Sequence, residues 1–157
     1  LKEELPLDCT FVFTAQEEVG NRGAFGAGFS VTPEIALVLD GADTADAPGV
    51  PAHKRSCTPG KGVVLPVMDK GSIADRGLFE DLRSLAESEN ILWQTSGSVP
   101  GRTDAAALQR TKAGVRTAML SVPVRYHHTP SGLVSLKDVD GMLALTRAFL
   151  SDLAEKE

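Results

Sequence analysis

Apolar positions along the chain switch repeatedly between unbroken or alternating runs and helical spacing. Thr10-Phe11-Val12-Phe13-Thr14-Ala15 is β-branched and aromatic, and predicts a strand ending at Gln16-Glu17-Glu18. The glycine-punctuated stretch from Gly20 to Phe29 predicts a short helix with a small-residue face. After Pro33, Ile35 to Leu39 is a nearly continuous apolar run that closes on Asp40. Such a run suits a central parallel strand covered by helices on both faces. Residues 41 to 62 carry Gly, Pro and Asp at close intervals and predict a long loop. Val63 to Val67 predicts a further strand, and Pro66 inside it favours an edge position. Leu78, Phe79, Leu82, Leu85 and Ala86 recur at helical spacing, so an amphipathic helix is expected over Ala74 to Ser88. Ile91 to Gln94 predicts a short strand, followed by a Gly/Ser/Pro loop to Arg102. Thr103 stands as the N-cap of an alanine-rich helix that Gly114 closes. Val115 to Val122 predicts a strand and Pro123 to Pro130 a loop. Ser135 with Asp138 three residues on resembles a capping box, opening a last helix to about Leu153. Alternating strands and helices predict an α/β fold, a three-layer sandwich with a mostly parallel sheet.

Composition narrows what such a fold does. With 157 residues one domain is the default, and 42% hydrophobic with 24% charged residues argues against disorder. Sixteen basic against 21 acidic residues give a net charge of −5, which speaks against a role in tracking nucleic-acid phosphates. No apolar run approaches the length of a membrane helix, so no membrane partner is expected. Two cysteines, Cys9 and Cys57, make no disulfide framework, and free thiols suit a cytoplasmic protein. With three histidines (His53, His127 and His128), any metal site must lean on carboxylates.

In open α/β sheets ligands sit beyond the carboxyl ends of strands. Glu17-Glu18, Asp40 and the His127-His128 loop all fall at such ends in the predicted order. Adjacent acids after an apolar strand cost stability unless a cation or partner offsets them. One glutamate could bind a metal while the other takes a proton from water. Asp40 and a histidine would add oxygen and nitrogen donors suited to zinc, cobalt or manganese. Each feature taken singly also fits a solvated turn, a strand-end cap or a surface loop. A paired-carboxylate sugar hydrolase would need an aromatic-lined cleft, and the chain has one Trp and one Tyr.

Beyond residue chemistry, Phe13-Thr14-Ala15-Gln16-Glu17-Glu18-Val19-Gly20-Asn21-Arg22-Gly23-Ala24 resembles the signature of the glutamyl and tetrahedral (TET) aminopeptidases. These are dinuclear-metal peptidases, some of which carry endoglucanase labels. The resemblance continues in order through Val38-Leu39-Asp40 and Asp46-Ala47-Pro48-Gly49, the latter similar to Asp-Thr-Pro-Gly. It runs on through Gly60-Lys61-Gly62 and Asp69. Gly101-Arg102-Thr103-Asp104-Ala105 is similar to Gly-Gly-Thr-Asp-Ala, and Arg125-Tyr126-His127-His128-Thr129-Pro130 to an Arg-Tyr-x-His-Ser loop. By this resemblance Glu17 is the general base, Glu18 and His128 ligate one metal, and Asp40 ligates the other. The implied reaction is removal of N-terminal residues from peptides by a metal-bound hydroxide with two zinc or cobalt ions. Thr103 and Asp104 are expected to cap a helix, with lining the site as the alternative. Arg125 and Tyr126 are expected to brace the histidine loop, and Trp93 to be a packed aromatic.

The resembled site also needs an upstream His and a bridging Asp. No histidine precedes His53, and Asp8, the sole Asp before Glu17, precedes a strand instead of following one. The chain opens on Leu1, not Met. Residues 1–157 are therefore expected to be the C-terminal part of a metallo-aminopeptidase catalytic domain, incomplete relative to the family fold and without its inserted smaller β domain. Partial or no metal occupancy is expected in this chain, which alone is expected to be inactive. Homo-oligomers are expected of the longer protein. The alternative is a non-catalytic or truncated α/β fragment with a structural or assembly role.

Overall fold

The computed structural model describes residues 5–96 and 101–156. In chain order the elements are α1 (Arg22–Val31), β1 (Ile35–Asp43), a 3-10 turn (Ala52–Lys54), β2 (Val63–Val64) and α2 (Arg76–Ser88). They continue as β3 (Trp93–Gln94), α3 (Ala105–Leu108), β4 (Arg116–Val124) and α4 (Leu136–Lys156). The strands form one sheet in the order β1-β4-β2-β3. β1 and β4 run parallel from Ile35 opposite Arg116 to Asp43 opposite Val124. β2 and β3 are also parallel, while β2 meets β4 antiparallel at Val64 opposite Ser121. The fold is α/β with a mostly parallel sheet, as the alternation predicts.

Helices cover both faces. On one, α2 and α4 bury Leu78, Leu82, Ala86, Leu145 and Phe149 against Val63, Leu65, Ala118 and Leu120 of the sheet region. Leu78, Leu82 and Ala86 are four residues apart, so one turn-to-turn stripe of α2 faces the sheet. Burying each large aliphatic side chain there is worth about 1.5–3 kcal/mol. On the other face α3 packs Ala105 against Val38 and Met119, and α1 stacks on α3. Successive β4 residues point to opposite faces, so Met119 meets one helix layer while Ala118 and Leu120 meet the other. A strand apolar on both sides is the consequence. Trp93 is half-buried against the larger core.

Several expectations about the elements fail, among them the helix expected to run to Gly114, which ends at Leu108. Residues 10–15 are not a strand: Phe13 is 98% exposed, and Phe11 and Val12 are about half exposed. Composition favours extension there, but a strand exists only through a hydrogen-bonded neighbour, and no described segment pairs with this one. The strand predicted over Val63 to Val67 shrinks to Val63–Val64 and lies inside the sheet, between β4 and β3. Pro66 falls beyond the paired residues, so its missing N–H costs no ladder bond. Asp138 does not close a capping box with Ser135. Its buried carboxylate accepts from Gly60 N (2.6 Å) and Gly62 N (2.9 Å), tying α4 to a distant turn. The loop expected between Gln94 and Arg102 lies partly outside the described residues.

Candidate active site

The first wall of the site is built by the segment leading into α1. Glu17 accepts backbone bonds from Gly20 and Asn21 at 3.0 and 2.8 Å, a tight turn that ends in the helix. Asn21 is buried with a left-handed backbone (φ 55°), and its Nδ2 donates to Glu17 Oε1 at 2.9 Å and to Asp104 Oδ1 at 3.3 Å. Asp104 Oδ2 also accepts from Thr14 Oγ1 at 2.5 Å. Asp104 thus fastens the Glu17 segment to the start of α3 in place of capping that helix. The capping falls to Thr103, whose Oγ1 accepts from Ala105 N at 3.3 Å.

The second wall follows β1 and β4. Asp40 lies within β1, opposite Ser121, and not at a strand end. Its Oδ1 accepts from Gly41 N at 2.7 Å. Beyond β4, Arg125 grips the nearly buried Asp46 carboxylate through Nε (2.9 Å) and Nη2 (2.6 Å). That guanidinium holds the Asp46 carboxyl down at about 2. Arg125 thereby braces the histidine loop, in which Tyr126 (φ 59°) and His128 (φ 57°) both take left-handed conformations that non-glycine residues seldom adopt. Thr129 Oγ1 closes the loop by donating to Tyr126 O at 2.7 Å.

Glu17, Glu18, Asp40, His127 and His128 line one cavity of about 300 Å³. His128 Nδ1 stands 3.4 Å from Glu18 Oε1, and the two imidazole rings lie 4.1 Å apart. Burial raises the Glu17 carboxyl above its ordinary value, and the charges of Asp40, Glu18 and Asp104 raise it further against the Asn21 bond. Burial likewise raises Asp40, with the Gly41 N–H and His127 pulling the other way. The cavity is a crowd of acids whose charges a proton or a cation would relieve.

The donors fit a cation in part. A catalytic zinc site takes three protein ligands, whereas Glu18 and His128 supply two that stand together. Among the described residues no three His, Cys, Asp or Glu side chains converge to hold an ion. The described residues therefore do not complete a metal site.

A third wall was less legible from spacing. Asp69 is buried, and its Oδ1 accepts from Gly71 N and Ser72 N at 2.6 Å each. Its Oδ2 accepts from Thr103 N (3.0 Å) and Thr103 Oγ1 (2.9 Å), so one carboxylate locks two loops into the cavity wall. Asn21, Asp69 and Asp46 are the residues whose roles sequence reasoning missed. All three lie in motif segments, but hydrogen bonds spanning up to 83 residues give them their work.

The model of the M42 glutamyl aminopeptidase family matches residues 1–145. The chain belongs to that family. This M42 chain is 36% identical over 149 residues to a lysyl aminopeptidase of Pyrococcus furiosus, covering 93% of this chain and 41% of that protein. Among solved structures it is similar to an aminopeptidase from Desulfurococcus kamchatkensis (TM-score 0.84, 34% identity), covering 87% of this chain and 39% of that one. It is also similar to the TET1 peptidase of Pyrococcus horikoshii, which can assemble into a tetrahedron or a large octahedral shell (TM-score 0.71, 32% identity, 88% and 39% covered). The M42 chain thus spans about 40% of the length of these relatives.

Proposed function

We propose that this M42 chain forms part of the catalytic unit of a metal-dependent aminopeptidase that removes N-terminal residues from peptides. The observation that carries this reading is the cavity in which Glu17, Glu18, Asp40, His127 and His128 meet. Glu17 is the general base. Its raised proton affinity suits it to take a proton from attacking water and hand it to the departing amine. Asn21 holds Oε1 and so fixes the orientation of that carboxylate. Glu18 and His128 would hold one divalent cation and Asp40 a second, zinc or cobalt, each needing further ligands beyond the described set. When bound, such cations supply Lewis acidity toward the scissile carbonyl. The assembly of the TET1 relative supports self-association of the longer protein, and the two free thiols, Cys9 and Cys57, support a reducing, cytoplasmic setting.

A second reading, a structural or assembly module without catalysis, draws on the absence of three converging donors among the described residues. Zinc or cobalt content measured together with hydrolysis of amino-acid p-nitroanilides separates the two. The aminopeptidase reading expects cation uptake that Glu18→Ala or His128→Ala lowers. Where hydrolysis occurs, Glu17→Gln removes it at unchanged metal content. Uptake unaffected by either ligand substitution refutes the ligand assignment. A chain that takes up no cation and cleaves nothing leaves the structural reading.

A further inference from the structure

Arg102 stands where the resembled Gly-Gly-Thr-Asp motif has its second glycine, and it lines the same cavity. Its backbone has no positive φ, so nothing in the local conformation calls for glycine. Among the described residues that line the cavity it is the one Arg or Lys, set among Glu17, Glu18, Asp40, Asp43 and Asp69. Its side chain is exposed, and the described residues offer it no hydrogen bond or ion pair. Asp69, which shares this wall, is engaged by Gly71, Ser72 and Thr103.

The position of Arg102 is nevertheless well defined. Lys70 N donates to Gly101 O at 3.1 Å on one side, and Asp69 pins Thr103 on the other. The methylene stem lies on Gly71: a Cβ there would come within 3.2 Å of Arg102 Cγ and 3.3 Å of Cδ. A guanidinium whose stem is seated and whose donors are free is preorganised for two parallel bonds to a carboxylate. The surrounding acids would otherwise repel such a ligand, which makes Arg102 decisive for whether one enters.

We infer that Arg102 receives a carboxylate of the bound peptide. This rests on the aminopeptidase reading of the cavity and names what that cavity selects. The carboxylate comes either from an acidic first side chain or from the free C-terminus of a short peptide. At about 300 Å³ the cavity has room for a peptide end.

The test is a nuclear magnetic resonance titration of the isotopically labelled 157-residue chain with four dipeptides. Glu-Ala-amide against Gln-Ala-amide probes the side chain, and Ala-Ala against Ala-Ala-amide probes the C-terminus. In the native chain the charged member of one pair should bind about tenfold tighter, the size of one charge-assisted hydrogen bond. In Arg102→Gln the preference should vanish or reverse, because the acids then act alone, and Arg102→Lys should restore part of it. The pair that discriminates identifies the source of the carboxylate. Equal binding within both pairs, or discrimination that survives Arg102→Gln, overturns the inference while leaving a peptide cleft in place. If none of the four peptides perturbs the cavity resonances, the inference is overturned, and the aminopeptidase reading is decided separately by the cation-uptake measurement.

Discussion

Replacing Asp69 with alanine tests whether one buried carboxylate builds the cavity wall. Asp69 is 3% exposed and accepts three backbone N–H groups and one hydroxyl, reaching across 34 residues to Thr103. Alanine leaves all four donors without their acceptor. An unsatisfied buried donor costs about 1–3 kcal/mol, but Thr103 is only part-buried and water would recover some of the loss. The expected destabilisation is therefore roughly 3–5 kcal/mol, a large share of a typical domain's 5–15 kcal/mol. Asparagine should cost less, about 1.5–3 kcal/mol. It keeps one carbonyl oxygen for Gly71 and Ser72 but turns an amide donor toward the Thr103 N–H. The assay is urea unfolding followed by circular dichroism and Trp93 fluorescence, with midpoints compared at constant slope. The order alanine worse than asparagine, both well below the native chain, is the expected result. An alanine variant within about 1 kcal/mol of the native chain would refute the reasoning, since the four bonds would then contribute no more than solvent does.

The raised carboxyls predict a particular pH dependence. A folded-state pKa above the unfolded one means the native chain binds the extra proton, so the destabilisation from Glu17 and Asp40 is absent at low pH and fully present above their raised values. Carboxyl carbon titration should place both above their ordinary 4.5 and 3.8, and values at or below those would contradict the acid crowding. Gly62→Ala should unfold or severely destabilise the chain, because Gly62 has φ +103° and a Cβ there would sit 2.1 Å from Leu92 O. A variant with a native melting profile would show that the β2–β3 junction can shift.

Legibility in the sequence followed the range of the force involved. The stripe Leu78, Leu82, Ala86 announced α2 within two residues of its observed start, because helical packing is written in a repeat of three to four positions. β1 and β4 were equally clear, since strands covered on both faces need apolar residues at successive positions. Phe11 to Phe13 carried the same signal, yet form no ladder among the described residues. Propensity states what a segment could pair as, and only a neighbour makes it a strand.

The site divides in the same way. Its cast was readable from ordered motifs: Glu17, Glu18, Asp40 and His128 do line one cavity. Their roles rest on chemistry that spacing cannot supply. Asp138 looked like a local cap and instead secures a turn 76 residues away, and Asp104 looked like a cap and instead holds Asn21 and Thr14. A short polar side chain satisfies whichever donor the fold brings within about 3 Å. By itself, then, the sequence determined the α/β class with its mostly parallel sheet, the larger helices and strands, and a set of candidate residues that share one cavity. Tertiary structure decided which acids share burial, which loops a carboxylate joins, and that Arg102 lines the cavity with no bonded partner among the described residues. The physical reason is that burial and hydrogen bonding depend on distances across the fold, and those distances are absent from the order of residues.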